Sequence, residues 1–74
     1  QYNEYVMTGL RTIWGVCIEK VKSDFGTTFE TYMLQQADKY IKEQLLYIED
    51  KKLKVTSKGK FLSDGIASNL FKIN

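Results

Sequence analysis

Residues 45–56, "LLYIEDKKLKVT", decide the fold because they contain two short strand-like runs separated by a polar turn. The first run, "LLYIED", is largely apolar, and the second, "KLKVT", alternates Leu53 and Val55 with lysines. Alternation with a period of two is typical of a half-buried strand. The two runs are joined across residues 50–52, so this stretch predicts a two-stranded β-hairpin.

The segment before the hairpin has the spacing of an amphipathic helix. Thr27 followed by Glu30 matches a capping box, which predicts a helix over about residues 28–44. Its buried face would contain Phe29, Tyr32, Met33, Ala37, Tyr40 and Ile41. A shorter helix is predicted upstream over residues 18–24, with Cys17 at its N-cap and Gly26 at its end.

The beginning of the chain predicts a first helix, roughly from Asn3 to Thr12. Its apolar stripe follows spacings of three and four residues, as one buried helical face requires. The stripe consists of Tyr2, Val6, Leu10, Ile13 and Trp14. Gly9 would allow close packing against another backbone, and Gly15 would stop the helix in a left-handed conformation. We therefore expect Trp14 and Gly15 to turn the chain within the core.

A last helix is predicted after the hairpin, capped by Thr56. Its buried face would contain Phe61, Leu62, Ile66, Leu70 and Phe71. The order is three helices, a two-stranded wing and a C-terminal helix. The sequence therefore predicts one domain over residues 1–74, mainly α with a small β-hairpin and winged-helix-like in arrangement.

Length and composition limit the possible function classes. A chain of 74 residues with 43% hydrophobic residues forms one small core. One cysteine allows no internal disulfide, which favours a reducing compartment and a cytoplasmic location. No apolar run approaches the roughly 20 residues of a membrane span. The chain opens without methionine and is amphipathic from Tyr2, so we expect a domain cut from a longer protein.

A winged helix suggests nucleic acid, and the wing is rich in lysine. A phosphate-binding wing would use Lys51, Lys52, Lys54, Lys58 and Lys60. The net charge is only +2, however, and the third helix combines acidic residues with lysines and has no arginine to contact guanine. The lysines therefore predict a solvated hairpin face, and a DNA-binding regulator domain is kept as an alternative.

No catalytic or metal site is predicted within residues 1–74. The chain has no histidine, which excludes imidazole ligands and histidine-activated nucleophiles. The acidic residues fall mainly on polar faces beside lysines, as on a solvated helix surface: Glu19, Asp24, Glu30, Asp38, Glu43, Glu49, Asp50 and Asp64. Cys17 could act as a thiolate or heme ligand at a helix N-terminus, although a small capping residue explains it more simply.

Arg11 is the only arginine among ten lysines, and we expect it to be exposed beside the Trp14 corner. There a guanidinium can pair with carboxylates or with a partner domain. Trp14 and the tyrosines could also stack on a flat aromatic ligand, although helical spacing places them first in the core and at its edge. The tyrosines are Tyr2, Tyr5, Tyr32, Tyr40 and Tyr47.

The chain resembles the C-terminal domain of the oxygen-independent coproporphyrinogen III oxidase family of radical S-adenosylmethionine proteins, and most closely its heme chaperone branch. The resemblance runs through "YNEYVMTGLRTIWGV", a short helix ending "FG", and "ADKYIKEQLLYIEDKKLKVTSKGKFLSDGIASNLF". Its positions are Glu4, Gly9, Leu10, Arg11, Gly15, Val16, Phe25, Gly26, Leu45, Leu46, Leu53, Thr56 and Gly59. The chain departs from the family at Gln44, often glycine, and at Cys17, often serine or aspartate.

This resemblance implies that the chemistry lies upstream, in a barrel whose CxxxCxxC motif holds a [4Fe-4S] cluster and which uses S-adenosylmethionine. A chain with one cysteine cannot hold that cluster, so this domain would not be an enzyme itself. It implies a domain that flanks the barrel and helps bind or transfer porphyrin or heme. Arg11 and Trp14 would then face the barrel or a tetrapyrrole's propionates. Whether the parent oxidises coproporphyrinogen or carries heme stays open, as does a purely structural interaction module.

Overall fold

The hairpin lies among four α-helices, as the sequence predicts. The computed structural model describes residues 1–73. Its elements, in chain order, are α1 (Tyr2–Leu10), β1 (Val16–Cys17), α2 (Ile18–Phe25), α3 (Thr27–Lys42), β2 (Leu46–Glu49), β3 (Lys52–Val55), a 3₁₀ helix (Lys60–Leu62) and α4 (Ser63–Leu70). This confirms a mainly helical fold with a small hairpin, in the winged-helix-like order.

The sheet has one strand more than predicted. Its order is β1-β3-β2, with both pairs antiparallel, and Leu53 lies opposite both Val16 and Ile48. The two turn residues between β2 and β3, Asp50 and Lys51, have φ of 52° and 63°. Positive φ at both positions is the type I′ geometry that matches the twist of a two-residue hairpin. The hairpin is therefore confirmed, whereas β1 is too short for a periodic signal.

One apolar core joins the sheet to all four helices. The predicted helical faces supply Tyr2, Val6 and Leu10 from α1, and α3 contributes Met33, Ala37 and Tyr40. The other buried residues are Val16, Val21, Leu45, Leu46, Leu53, Ile66, Ala67 and Leu70. Among the described residues no charged side chain is buried, and the buried side-chain polar groups are the hydroxyls of tyrosines. The energy of the fold therefore comes from apolar burial rather than from internal ion pairs.

The N-terminal helix and the C-terminal segment hold each other in place. The Tyr2 hydroxyl donates a buried hydrogen bond of 2.9 Å to the Leu70 carbonyl oxygen. The Lys72 amide donates to Asn3 Oδ1 at 2.9 Å, and the Tyr32 hydroxyl donates to the Phe71 carbonyl oxygen at 2.9 Å. Burial raises the pKa of Tyr2 well above its usual range, so the hydroxyl remains a neutral donor.

The first helix is shorter than predicted, and this changes the environment of two apolar residues. It ends at Leu10, where the amides of Arg11 and Thr12 bond back only three residues, as in a tightened last turn. Ile13 and Trp14 were predicted on the buried face, but they are 78% and 70% exposed. The prediction that Trp14 turns within the core is wrong because helical periodicity does not continue beyond the end of the helix.

The predicted last helix is also divided. Thr56 does not cap α4; its hydroxyl accepts from the Gly59 amide at 3.0 Å and donates to the Gln44 carbonyl oxygen at 2.8 Å. A 3₁₀ helix follows, and the α-helical period begins only at Ser63. Phe61 and Leu62, predicted as buried, are therefore 93% and 54% exposed.

The rest of the predicted face of α4 agrees with the structure, and the predicted starts of α2 and α3 agree only in part. Ile66 and Leu70 are buried as predicted, and Phe71 is half-buried. The capping box is wrong because α3 begins at Thr27, has Gly26 as N-cap and shows no side-chain cap bond. Cys17 does occupy the N-cap of α2, without a side-chain bond.

We predict that Gly9→Ala destabilises the fold by about 1–3 kcal/mol, the usual cost of overpacking. An added Cβ at Gly9 would lie 2.6 Å from Val16 Cγ2 and 3.0 Å from the Gly15 carbonyl oxygen. Gly65→Ala is the matched control, because nothing lies within 4 Å of its added Cβ, and it should stabilise α4 by up to about 1 kcal/mol. Urea unfolding followed by circular dichroism measures both, and equal stability of the two variants would contradict the packing argument.

Candidate functional site

Residues 11–14, between α1 and β1, form an exposed corner that contains the two candidate contact residues, Arg11 and Trp14. Its position follows from the two glycines that flank it. Gly9 packs against Val16 and Gly15, and Gly15 has a φ of +76° and lies against the Leu53 carbonyl oxygen. The chain can therefore reverse closely enough to pair β1 with β3, and the four residues in between project outward. The close packing predicted at Gly9 is therefore formed with Gly15 and Val16.

Arg11 forms a two-pronged ion pair with Asp64, the second residue of α4. Arg11 Nε donates to Asp64 Oδ1 at 3.0 Å, and Nη2 donates to Oδ2 at 3.3 Å. The hydrogen bond to Asp64 raises the pKa of Arg11, and the same bond lowers the pKa of the Asp64 carboxyl. The two side chains are 58% and 66% exposed, so water and salt weaken the pair. It holds the guanidinium fork in a defined direction.

A cleft of about 360 Å³ separates the corner from the segment that follows β3. Arg11 and Lys60 provide two cationic side chains in its lining, and Leu10, Ile13 and Val55 provide apolar surface. The remaining lining residues carry hydroxyls: Thr12, Thr56, Ser57 and Ser63. Cations, hydroxyls and apolar surface in one cleft can bind the carboxylate of an otherwise apolar molecule.

Ile13, in the lining of this cleft, and its neighbour Trp14 are exposed apolar residues of the corner. Phe61 and Leu62 are also exposed, but they line a separate depression beside Tyr40 and Ile66. Large apolar side chains grouped on a surface usually mark a contact with a ligand or another protein. The site therefore combines an oriented arginine with apolar area that the domain leaves uncovered.

Most of the other residues of the predicted family pattern are buried beneath the corner or fix the segment after β3. Leu10 and Val16 are buried beneath the corner. The Thr56 hydroxyl accepts a hydrogen bond from the Gly59 amide. A Cβ on Gly59 would overlap the Leu45 carbonyl oxygen, so Thr56 and Gly59 together fix the segment after β3. Gly26 lies apart, at the α2–α3 junction, with a φ of 101°.

The comparison with family models agrees with this pattern of glycines and apolar residues. The model described as the HemN C-terminal domain matches residues 1–62. The chain belongs to this family. Neither the curated proteins nor the solved structures that were searched contain a significant match. The family match includes Arg11 and Trp14 and ends before Asp64.

Sequence reasoning missed Asp64 and Lys60 as parts of the site. Asp64 was placed among solvated surface acids, and Lys60 among the lysines of the wing. Asp64 is 53 residues from Arg11, so no short-range pattern connects them. The available signal was a single arginine together with an acid in the first turn of a helix.

The lysines of the wing are partly neutralised in this HemN C-terminal domain. Lys51 Nζ lies 2.9 Å from Glu19 Oε2, and Lys54 Nζ lies 3.2 Å from Glu49 Oε1. On α3, Lys42 pairs with Asp38 at 2.9 Å. Paired lysines on both elements weaken the electrostatic argument for a DNA contact.

Other site classes gain no support from the described residues. Residues 1–73 contain no group of three or more His, Cys, Asp or Glu side chains that could hold a metal ion. Cys17 is half-buried, and its amide donates to the Tyr5 hydroxyl at 3.0 Å. None of the helices in this part of the chain has the length and apolar character needed to cross a membrane.

We predict that Trp14→Ala changes the free energy of unfolding by less than about 0.5 kcal/mol, because Trp14 lies outside the core. Leu53→Ala is the comparison variant, since Leu53 is fully buried and its truncation should cost about 2–5 kcal/mol. Urea unfolding measures both. A loss at Trp14 as large as that at Leu53 would mean that the tryptophan packs in the core.

We predict that the domain gives no salt-sensitive binding to duplex DNA. The reason is the net charge of +2 together with the ion pairs of Lys51 and Lys54. A gel-shift titration at low salt, about 50 mM, gives the most favourable conditions for an electrostatic complex. A shift that disappears with added salt and in a Lys52→Glu variant would instead support the DNA-binding alternative.

Proposed function

We propose that this chain is the non-catalytic C-terminal accessory domain of an oxygen-independent coproporphyrinogen III oxidase-like protein. In this role it flanks the radical S-adenosylmethionine barrel and assists the binding or transfer of porphyrin or heme. The [4Fe-4S] cluster, S-adenosylmethionine and heme belong to the parent protein. The observation that carries the proposal is the exposed corner, which contains both Arg11 and Trp14, on a domain of the HemN C-terminal family.

The corner supports the proposal through its two kinds of surface. A porphyrin is flat and apolar and bears carboxylates at its edge, so Trp14 would contact the ring and Arg11 a propionate. The same surface suits contact with a neighbouring barrel, because an apolar centre with a charged border is typical of domain interfaces. A purely structural interaction module is the alternative, and it would use the corner for docking alone.

The first experiment extends the coding sequence upstream of residue 1. A CxxxCxxC motif before this domain would support the proposal, because such a motif is what holds a [4Fe-4S] cluster with three cysteines. An upstream segment without that motif would contradict it. The full-length protein obtained in this way is the material for the second experiment.

We predict that Arg11→Ala weakens heme binding by the full-length protein about tenfold, through the loss of a charged hydrogen bond. Trp14→Ala should weaken it by up to about tenfold, through the loss of an aromatic contact with the ring. A heme titration followed by the Soret band measures the affinity, and limited proteolysis between the domains measures docking. Lys42→Ala and Tyr47→Ala are the controls, since each removes an exposed side chain of similar type away from the corner.

The outcomes separate the two roles of the corner. Weaker heme binding with unchanged docking supports a porphyrin contact, and loss of docking with unchanged heme affinity supports the structural module. If both variants behave as wild type in both measurements, the corner has neither role and the proposal fails.

We predict that the isolated 74-residue domain does not bind heme tightly in a one-to-one complex. Axial ligation uses histidine, cysteine, methionine or tyrosine at an open site. The chain has no histidine, Met33 is fully buried, and Met7 packs partly buried against the core. Hemin titration followed by the Soret band is the measurement. A sharp shift that saturates at one equivalent and is lost in Cys17→Ser would place a heme site in this domain.

A further inference from the structure

Arg11 lines the cleft beside the corner, and its guanidinium is paired with Asp64, which lies outside the lining of that cleft. We propose that this cleft is a carboxylate-binding site: the Arg11 guanidinium stays paired with Asp64 until the carboxylate of an apolar small molecule bound in the cleft displaces Asp64. The inference deepens the proposed function, on which it rests only for the identity of the natural ligand. It assigns the chemistry of the ligand and gives Asp64 a role as a resident competitor.

The geometry of the pair supports exchange. Arg11 presents Nε and Nη2 to the two oxygens of Asp64, which is the arrangement that an incoming carboxylate would adopt. Both side chains are largely exposed, so the pair is screened by water and its replacement by another carboxylate costs little. A resident carboxylate therefore keeps the fork oriented without binding it tightly.

The fold does not depend on this pair. Contacts at the other end of α4 are buried, as shown by the hydrogen bond from the Tyr2 hydroxyl to the Leu70 carbonyl oxygen. Asp64 also lies in the first turn of α4, where a carboxylate is favoured by the N-terminal end of the helix dipole. Asp64 thus keeps a favourable environment after it leaves Arg11.

The surroundings indicate the kind of ligand. Lys60 lines the same cleft as Arg11 and adds a second cation, and no acidic residue is among the lining residues, so the cleft itself is positively charged. Leu10, Ile13 and Val55 provide apolar lining. Trp14, the neighbour of Ile13 at the corner, lies outside the lining residues and has an exposed aromatic ring. A small molecule with one carboxylate on an apolar, aromatic body is complementary to this combination of charge and surface.

The test uses the 74-residue chain and 3-phenylpropionate as the probe. Fluorescence of Trp14, the only tryptophan, and the Nε–H resonance of Arg11, the only arginine, report binding without interference. We expect saturable changes in both signals with 3-phenylpropionate and none with 3-phenylpropanol, which has the same apolar body without the carboxylate. Acetate, which has only the carboxylate, should bind at least tenfold more weakly.

The decisive variant is Asp64→Asn, which removes the competing charge at nearly constant size. We expect it to lower the dissociation constant of 3-phenylpropionate about fivefold, because the ligand no longer has to displace a carboxylate. Arg11→Ala should abolish the response, and Asp64→Asn should then have no further effect. Asp24→Asn is the matched control: it removes a carboxylate that pairs with Lys20 on α2, with the same change in net charge.

A purely structural ion pair gives the opposite result. If Asp64 only positioned Arg11, Asp64→Asn would weaken binding or leave it unchanged, and either outcome overturns the proposal. An equal gain in Asp24→Asn would show a general charge effect and would also overturn it, as would equal affinity for acetate and 3-phenylpropionate. The test contains no porphyrin, so a positive result with failed heme binding by the parent would reject the proposed function and retain the site.

Discussion

The fold depends on close contacts at two glycines, where a side chain on either glycine would not fit. Gly9 in α1 approaches Val16 and Gly15, and Gly15 approaches the Leu53 carbonyl oxygen of β3. Only this approach allows the chain to leave α1 and enter the sheet within five residues. Val16 then reaches its place opposite Leu53 in the core. The exposure of the corner is a consequence, because residues that lie outside so tight a reversal have nothing to pack against.

The sequence predicted the parts of the fold that repeat over several turns or strand residues. The periodic faces of α1 and α3 identified buried residues correctly, and the alternation in residues 52–55 identified β3. Errors occurred where an element ended before its apolar pattern did. Trp14 lies four residues after Leu10 and continues the stripe of α1, yet the helix has already ended. Phe61 and Leu62 continue the stripe of α4 backward into a 3₁₀ helix. Periodicity alone contains no information about these boundaries.

The candidate site could be predicted only in part, because a sequence pattern indicates local exposure and not tertiary contacts. A single arginine near a helix end indicated an exposed guanidinium, and the structure places Arg11 there. The partner of Arg11 was not predictable, because Asp64 approaches it only after α1 and α4 pack together. Lys60 was assigned to the wing from its neighbours in sequence, although the 3₁₀ helix carries it to the cleft. Local patterns predict which residues are exposed, whereas tertiary packing determines which of them meet.

The two ends of α1 differ in a way that bears on function. At its beginning, the Tyr2 hydroxyl donates a buried hydrogen bond to the Leu70 carbonyl oxygen at the end of α4. Beyond its last residue, Arg11 meets Asp64 in the first turn of α4 through an exposed ion pair. The helices are therefore antiparallel and joined at both ends, but only the joint in the protein interior is protected from water. Loss of a buried partner leaves an unsatisfied polar group, whereas an exposed guanidinium can donate to water or to a new carboxylate in place of the old one. The contact that stabilises the fold and the contact that can be exchanged thus lie at opposite ends of α1. The partner of Arg11 can therefore change while the fold stays intact.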